Sequence, residues 1–581
     1  MVVNTDSVMT NIWLNLVGDF RRQLGPSYCA TVAEALQRGG IKEFRSVVWP
    51  GRTQLPPWFF KREYQLENLF KRYRFHDDVY TDAELAELTI KKFLDTQVRV
   101  ARFQPRFAST FLVLREARTL AAQILGSFDM EEVFSSCSFG RRASYGVPYR
   151  ESYLDSKLSQ PISGSLEHIA WFQDYLASDS HLNDCLRTLH GGEIAYALCD
   201  TLTCSLVPKK YNSLRLILPN TTIGSFYTMG LGKVIQSRLL KVGLDIRYLQ
   251  AVHQRIVKRA SVDRRLVTAD LSAASDSIVK SLLRRILPSV WYKAVLFGHI
   301  PYVRIGEDRI RMETILTMGL GHTFPLETLI FYVLLRAIAN LLGRERARIS
   351  VYGDDLIYPK YLHRYVERVF HDLNLLLNRD KTFVADPFRE SCGSDYFHGV
   401  DVRPFQPEGQ STELEGAPLL AYLFKMYNGL TRRWSPEEIP DTLAYLRFEI
   451  TRSGGKPFVV PPSFPDSSGI KVEDPFVRLT FMSERPIWDT RCCTWRFKYL
   501  RESSDFRKVI SQFPFYWEKL RTLNHDDDLS CWDRECDSPI LRWRRVVYKR
   551  RGKKWHRLQA GVSSKVRSNF IEQESLTTSW A

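Results

Sequence analysis

Three aspartates have the surroundings that metal-assisted chemistry needs. Asp270 ends the short apolar run Leu266-Val267-Thr268-Ala269. Asp354 and Asp355 lie between Ile349-Ser350-Val351-Tyr352 and Leu356-Ile357-Tyr358. Gly353 precedes the pair and permits the tight turn that throws both carboxylates outward. Carboxylates flanked by apolar strands are costly without a cation partner. Hard cations such as Mg²⁺ want rigidly held carboxylate oxygens, and strand ends supply that rigidity. Two such ions roughly 3.5–4 Å apart activate a hydroxyl and neutralise leaving oxygens in phosphoryl transfer. Asp270 and Asp354 are therefore expected as principal ligands of two Mg²⁺ ions, or Mn²⁺, with Asp355 secondary. Asp526-Asp527-Asp528 has no strand around it and reads as a solvated turn.

Basic groups complement the acids. Lys209 and Lys210 in Val-Pro-Lys-Lys, with Arg215, could neutralise a triphosphate; otherwise they form an exposed basic loop. Gly319 and Gly321, just before a helix, suit close backbone approach to a template or ribose. Asp276 could touch a ribose or cap the helix that follows.

These groups need elements to hold them. The runs around Gly353-Asp354-Asp355 predict a β-hairpin, and Leu266–Ala269 a buried strand. Leu326, Leu329, Ile330, Val333, Leu334, Ala337, Ile338 and Leu341 share one face of a helix that begins near Thr323 and Pro325. The region to about residue 190 reads as short amphipathic helices with basic-aromatic patches, Phe59-Phe60-Lys61-Arg62 and Lys71-Arg72-Tyr73-Arg74. Residues 140–165 read as a loop, and the segment from Gly561 on as frayed.

The chain has 581 residues, 44% of them hydrophobic, enough for several subdomains, and a net charge of +17 that points to a polyanionic partner. The first 20 residues carry no Lys or Arg, unlike a secretory signal. Only eight uncharged residues separate Glu327 from Arg336, so no membrane span is expected. The ten cysteines include no C-x-x-C pair and read as free thiols rather than as a zinc site built on Cys492, Cys493, Cys531, Cys536 and His525. Nine of the sixteen residues from Arg542 to Arg557 are Arg or Lys, with Trp543, Tyr548 and Trp555 interleaved, a pattern suited to RNA binding.

Taken in order, these strings resemble the replicases of the single-stranded RNA bacteriophages, the leviviruses. Val-Pro-Lys-Lys with Arg215 and Pro219 is similar to motif F of viral RNA polymerases, and Asp-Leu-Ser-Ala-Ala-Ser-Asp-Ser from Asp270 to motif A. Met-Gly-Leu-Gly-His-Thr-Phe-Pro-Leu-Glu-Thr (318–328) is similar to motif B and Tyr-Gly-Asp-Asp (352–355) to motif C. Pro-Phe-Arg-Glu-Ser-Cys-Gly (387–393) running into Gly-Val-Asp-Val-Arg-Pro-Phe completes a set ordered over about 200 residues. Lys381, in Asn-Arg-Asp-Lys-Thr-Phe, resembles the motif D lysine, expected to protonate departing pyrophosphate as a general acid. Two positions depart from the family. Leu320 stands where Asn is usual and cannot hydrogen-bond, and Pro325 replaces a usual Glu, leaving Thr323 and Glu327 as polar nucleotide contacts.

The resemblance implies an α/β (α+β) right-hand polymerase with a small antiparallel palm sheet backed by helices. The expected division is an N-terminal region and fingers over 1–190, further fingers with motif F over 191–262, palm over 263–405, and thumb with a basic tail over 406–581. It implies primer-independent RNA-templated synthesis from ribonucleoside triphosphates in the bacterial cytoplasm, beside host elongation factors Tu and Ts and a ribosomal small-subunit protein, with no membrane. A reverse transcriptase is one rival; glycine before the acidic pair and the motif B and F strings weigh against it. A catalytically decayed RNA-binding protein is the other; the intact Asp270, Asp354 and Asp355 weigh against that.

Overall fold

The computed structural model describes residues 2–24, 28–49, 54–140, 144–147, 154–454, 459–473, 487–489, 494–503, 540–551 and 554–557. Its centre is a three-stranded antiparallel sheet in which Asp355–Pro359 lies between Ser350–Tyr352 and Leu266–Ala269. Strand alternation explains why these runs are apolar throughout. Val267, Ala269, Val351, Leu356 and Tyr358 enter the largest core, whereas Ile357 turns the other way onto Ile256 and Val257 of the helix Ile246–Asp263. Both faces of the sheet are covered.

The helix Thr323–Leu341 backs the sheet and packs against the helices Ala108–Leu125 and Thr222–Leu240. Pro325 sits in its first turn, where a missing N–H costs nothing. The expected apolar face is buried up to Ile338, but Leu341 is exposed. Thr328, Phe331 and Leu335, off that face, are buried too. The helix is surrounded rather than amphipathic. It is long and apolar enough to cross a membrane, but most of it lies inside the core, which accounts for its hydropathy.

A second core joins residues far apart in sequence. Trp13, Leu16, Phe20, Leu66, Phe70 and Tyr73 pack with Leu419, Leu423, Phe424, Leu443 and Leu446. Val3–Asn4 pairs with Glu413–Leu414, and Tyr73–Arg74 with Gly409–Gln410. The buried Asp19 carboxylate accepts from the Asp441 and Thr442 N–H groups, and so caps the helix Pro440–Arg452 from 422 residues away. The expected region 1–190 is thus divided: residues 3–75 share a core with 419–500, while the helices from Asp82 onward serve the sheet.

Other elements also depart from expectation. The N-terminal helices are long, Thr5–Leu24 and Asp82–Ala101 having 20 residues each. Within 140–165 the chain forms the helix Leu154–Ser159 and the strand Ile162–Gly164. The basic stretch contributes the strands Ile540–Arg551 and Lys554–Arg557 to a four-stranded antiparallel sheet with Thr494–Ser503 and Ile487–Asp489. Asp526 to Asp528, Cys492, Cys493, Cys531, Cys536, His525 and the segment from Gly561 lie outside the described residues. Among the described residues, Cys137, Cys185, Cys199, Cys204 and Cys392 are free thiols.

Candidate active site

The hairpin turns through Gly353 and Asp354, with Tyr352 opposite Asp355. Gly353 has φ of +60°, and its N–H donates to the Thr328 hydroxyl at 2.9 Å, tying the tip to the backing helix. Leu356 pairs with Ala269, so the next step along each strand brings Asp355 and Asp270 side by side. The carboxyl groups of Asp270 and Asp354 lie within hydrogen-bonding reach of each other, and desolvation followed by repulsion from Asp270 raises the Asp354 pKa. Burial, then the Asp354 charge, push Asp355 up to about 7. Asp355 accepts from the Cys392 N–H at 3.0 Å. That donor comes from a two-residue turn, Cys392-Gly393, with positive φ at both positions, as the tight turn between Phe388–Ser391 and Ser394–Phe397 requires.

Lys381 reaches this group by backbone pairing. Asn378 N–H donates to the Asp270 carbonyl, and Thr268 and Phe383 exchange two hydrogen bonds, so residues 378–383 run along the edge of the Asp270 strand. The Lys381 ammonium lies 3.0 Å from Asp270 and 3.3 Å from Glu390. Burial lowers its pKa, but Glu390 and Asp270 outweigh that and the net shift is upward.

Facing the acids is the hairpin Ser205–Lys210 and Ser213–Ile217. Lys209 feels the charges of Arg215, Lys381, Asp270 and Asp354; desolvation and the two cations lower its pKa. Lys210 is brought down to about 8 by burial, then by Lys71, Lys381 and Lys209. Lys209 and Lys381 therefore act on Asp270 and Asp354 and Lys210 on Glu390, with Arg215 next to Lys209 and Lys71 next to Lys210. Lys71 carries no signal in sequence that separates it from its neighbours. Other cations of the two basic-aromatic patches are tied within the chain: Arg72 to Glu408, Arg74 to Asp82, and Lys61 to the Arg433 carbonyl.

The chain's own packing requires the motif B glycines. A Cβ on Gly319 would lie 2.3 Å from the Leu218 carbonyl oxygen, and one on Gly321 2.7 Å from the Met229 backbone. The close approach is to the chain's own backbone. Leu320 is buried. The Thr323 hydroxyl donates to the Thr317 carbonyl at 2.9 Å, so its proton is committed to the loop. Glu327 is buried, and its pKa is raised well above the usual value by burial and by the charges of Asp354 and Asp276. Asp276 lies in the short 3-10 turn Ser275–Ser277 and caps no helix; the helix Lys280–Ile286 begins after Val279 without a side-chain cap. Burial raises Asp276 to about 6 against the opposing pull of Lys92 and Arg99. Arg99 also bonds the Ser277 hydroxyl and the Asn374 carbonyl.

The donor set suits a hard cation. Among the described residues no three His, Cys, Asp or Glu form a closed cage. Asp270 and Asp354 instead make an open, all-oxygen half-site whose mutual repulsion a divalent ion would relieve. Mg²⁺ favours this kind of site, one or two carboxylates completed by water and substrate phosphates.

The antiparallel sheet, its carboxylate-bearing tips and the basic hairpin facing them define the mixed α/β polymerase fold class. Within that class the chain belongs to the RNA replicase, beta-chain family, whose profile matches residues 29–448. It is 38% identical over 200 residues to the RNA-directed RNA polymerase subunit beta of Escherichia virus Qbeta, covering 34% of each chain. It is 36% identical over 299 residues to the RNA-directed RNA polymerase beta chain of Enterobacteria phage fr, covering 51% of this chain and 54% of the relative. The matched stretches thus span about a third to a half of these relatives. Among solved structures, the RNA-dependent RNA polymerase of a human picobirnavirus is similar at 14% identity and a TM-score of 0.43, covering 74% of this chain and 86% of that one.

Proposed function

We propose that the chain is an RNA-directed RNA polymerase that copies a positive-strand RNA phage genome, transferring ribonucleoside monophosphates from triphosphates to a growing 3′ end. The observation that carries this reading is the juxtaposition of Asp270, at the end of one strand, and Asp354, at the turn of the neighbouring hairpin, with Lys209, Lys210 and Lys381 beside them. Asp270 and Asp354, with Asp355 behind them, would hold two divalent cations, Mg²⁺ or Mn²⁺, which when bound supply Lewis acidity for the attacking hydroxyl and the leaving oxygens. Lys209, Lys210 and Arg215 bind the triphosphate by charge. Lys381 stabilises the charge that develops on pyrophosphate, and donates a proton to it once one of its two carboxylate contacts is given up, since the doubly paired ammonium is a poor acid. Glu327, buried within electrostatic reach of both Asp354 and Asp276, and the half-buried Asp276 are the polar groups offered to an incoming nucleotide, with Gly319 and Thr323 shaping the loop beside them.

Family membership favours initiation without a primer, action in the bacterial cytoplasm, and assembly with host elongation factors Tu and Ts and a ribosomal small-subunit protein. The test is incorporation of labelled ribonucleotides by the purified full chain on an RNA template, with and without bacterial extract, Mg²⁺ or Mn²⁺, and with deoxyribonucleotides as the alternative substrate. Dependence on RNA template, divalent cation and ribonucleotides is expected. Preference for deoxyribonucleotides, or activity without a divalent cation, would overturn the reading.

A further inference from the structure

The basic hairpin rests on the helix Asp82–Ala101 through its second strand, where Leu216 joins the Phe93 cluster, and is otherwise a plain two-stranded ribbon. A two-stranded ribbon is marginally stable in water, and here most residues of both strands are at least partly exposed. Its register slips between Pro208 and Lys210. Its cations crowd one another and the ammonium groups of Lys71 and Lys381. In the absence of an anion, like charges would push the tip outward.

Besides the pull of Asp270, Asp354 and Glu390 on these lysines, one restraint on the tip comes from the other core. Tyr211, at the turn of the hairpin, donates its N–H to the Lys71 carbonyl at 3.2 Å. The guanidinium of Arg45 lies over the Tyr211 ring, 3.5 Å from its centroid. Arg45 is itself fixed: it bonds the carbonyls of Phe70 and Tyr73 at 3.1 Å and pairs with Asp78 at 3.2 Å. The Arg45 and Asp78 side chains are only 6% and 1% exposed. A desolvated guanidinium stacked on a tyrosine is a strong, directional contact.

We propose that Arg45 and Tyr211 form an anchor by which the segment of residues 28–78 sets the position of Lys209 and Lys210, and with it the affinity for the triphosphate. Both are positioning residues; neither lies where a nucleotide would react. The inference rests on the polymerase reading above. Sequence spacing hides it, since 166 positions separate the two partners.

The variants belong on the Tyr211 side, because removing Arg45 would strand the buried Asp78 charge and threaten folding. Full-length Tyr211→Leu and Tyr211→Phe are compared with wild type by incorporation of GTP on an RNA template over a range of GTP concentrations. Leucine keeps apolar bulk but removes the aromatic face; phenylalanine keeps the face. Tyr211→Leu is expected to raise KM for GTP about tenfold, the scale of a desolvated cation–π contact, with kcat within about twofold, whereas Tyr211→Phe stays near wild type. Amide exchange over residues 205–217 is measured on the same proteins and needs no activity; it should quicken in Tyr211→Leu and not in Tyr211→Phe. Unchanged exchange and unchanged KM in Tyr211→Leu would overturn the anchor, as would a fall in kcat alone in both variants. A wild-type chain that incorporates nothing would defeat the polymerase reading instead, leaving the exchange data to decide the anchor.

Discussion

Alanine at Gly353 would meet two separable penalties. The residue has φ of +60°, a conformation that costs a non-glycine residue about 1–2 kcal/mol. Its new Cβ would also stand 2.3 Å from the Phe324 ring, where ordinary contact begins near 3.4 Å. The ring cannot swing freely, because its other neighbour is Tyr352, with centroids 4.6 Å apart. Overpacking of this kind costs about 1–3 kcal/mol, so the total is about 2–5 kcal/mol. Gly306 provides the control: it has the same φ of +60° and open space where a Cβ would go. Gly306→Ala should therefore cost only the conformational part. Urea and thermal unfolding of the two variants measure the difference, and Phe324→Leu added to Gly353→Ala should recover part of it. Because the tip carries Asp354, Gly353→Ala should also slow nucleotide incorporation about 10²-fold, the scale of a misplacement near 1 Å. Equal destabilisation by the two alanines, or normal synthesis by Gly353→Ala, would refute the steric argument.

Asp354→Asn keeps shape and removes charge, and should lower Mg²⁺-dependent incorporation by at least about 10³-fold in single-turnover assays; near-normal synthesis would remove Asp354 from the site. Lys381→Leu should slow incorporation about 10²-fold with little change in nucleotide affinity, and Lys381→Arg, which keeps the charge but donates a proton poorly, should recover only part. Identical pH–rate profiles for Lys381→Arg and wild type would exclude proton donation. Asp276, raised to about 6 by burial against Lys92 and Arg99, holds its proton more tightly folded than unfolded. Its contribution to stability is therefore lost as pH rises from about 4 to about 6, so Asp276→Asn should stabilise the chain by up to about 3 kcal/mol at pH 8 and by little at pH 4 in urea titrations; a pH-independent effect would contradict this. Replacing Arg542, Arg544, Arg545, Lys549 and Arg550 by Gln should weaken RNA binding and flatten its salt dependence, and an unchanged salt slope would argue against phosphate contacts there.

The parts of the site legible in sequence were those with local signatures. Leu266–Ala269 before Asp270, the runs around Gly353 and the periodic residues after Thr323 each declare an element within a dozen residues, and the structure has all three. The groups left unread depend on distant partners. Glu390 is marked only by its place beside Lys381, and the Cys392 N–H by a turn that docks on Asp355. Arg99 comes from a helix more than 170 positions before Asp276, on which it pulls, and Lys71 from a turn more than 130 positions before Lys210, which it repels. For the glycines of motif B, sequence records that a Cβ is missing but not that Leu218 and Met229 backbone lie where it would go. Leu320, with no hydrogen-bonding group, reads as a loss until its burial shows it filling core. Capping by Asp276 was plausible from spacing alone, but the chain reaches Val279 before a helix begins.

The core shared by residues 3–75 and 419–500 has a consequence for how the chain is made. A ribosome adds about 5–20 residues per second. Trp13, Phe20 and Phe70 emerge early, yet the strand Glu413–Leu414 and the helix Gly416–Thr431 that cover them follow about 340 residues later. The first segment therefore waits on the order of 20–70 s with its apolar side uncovered. During that interval the sheet bearing Asp270 and Asp354 can complete itself, since its strands lie within 266–359. The half bearing the acidic pair is ready first, and the core that carries Arg45 beside the basic hairpin closes last, so newborn chains interrupted before residue 413 would hold a formed acidic centre and an open, sticky flank fit for chaperone capture.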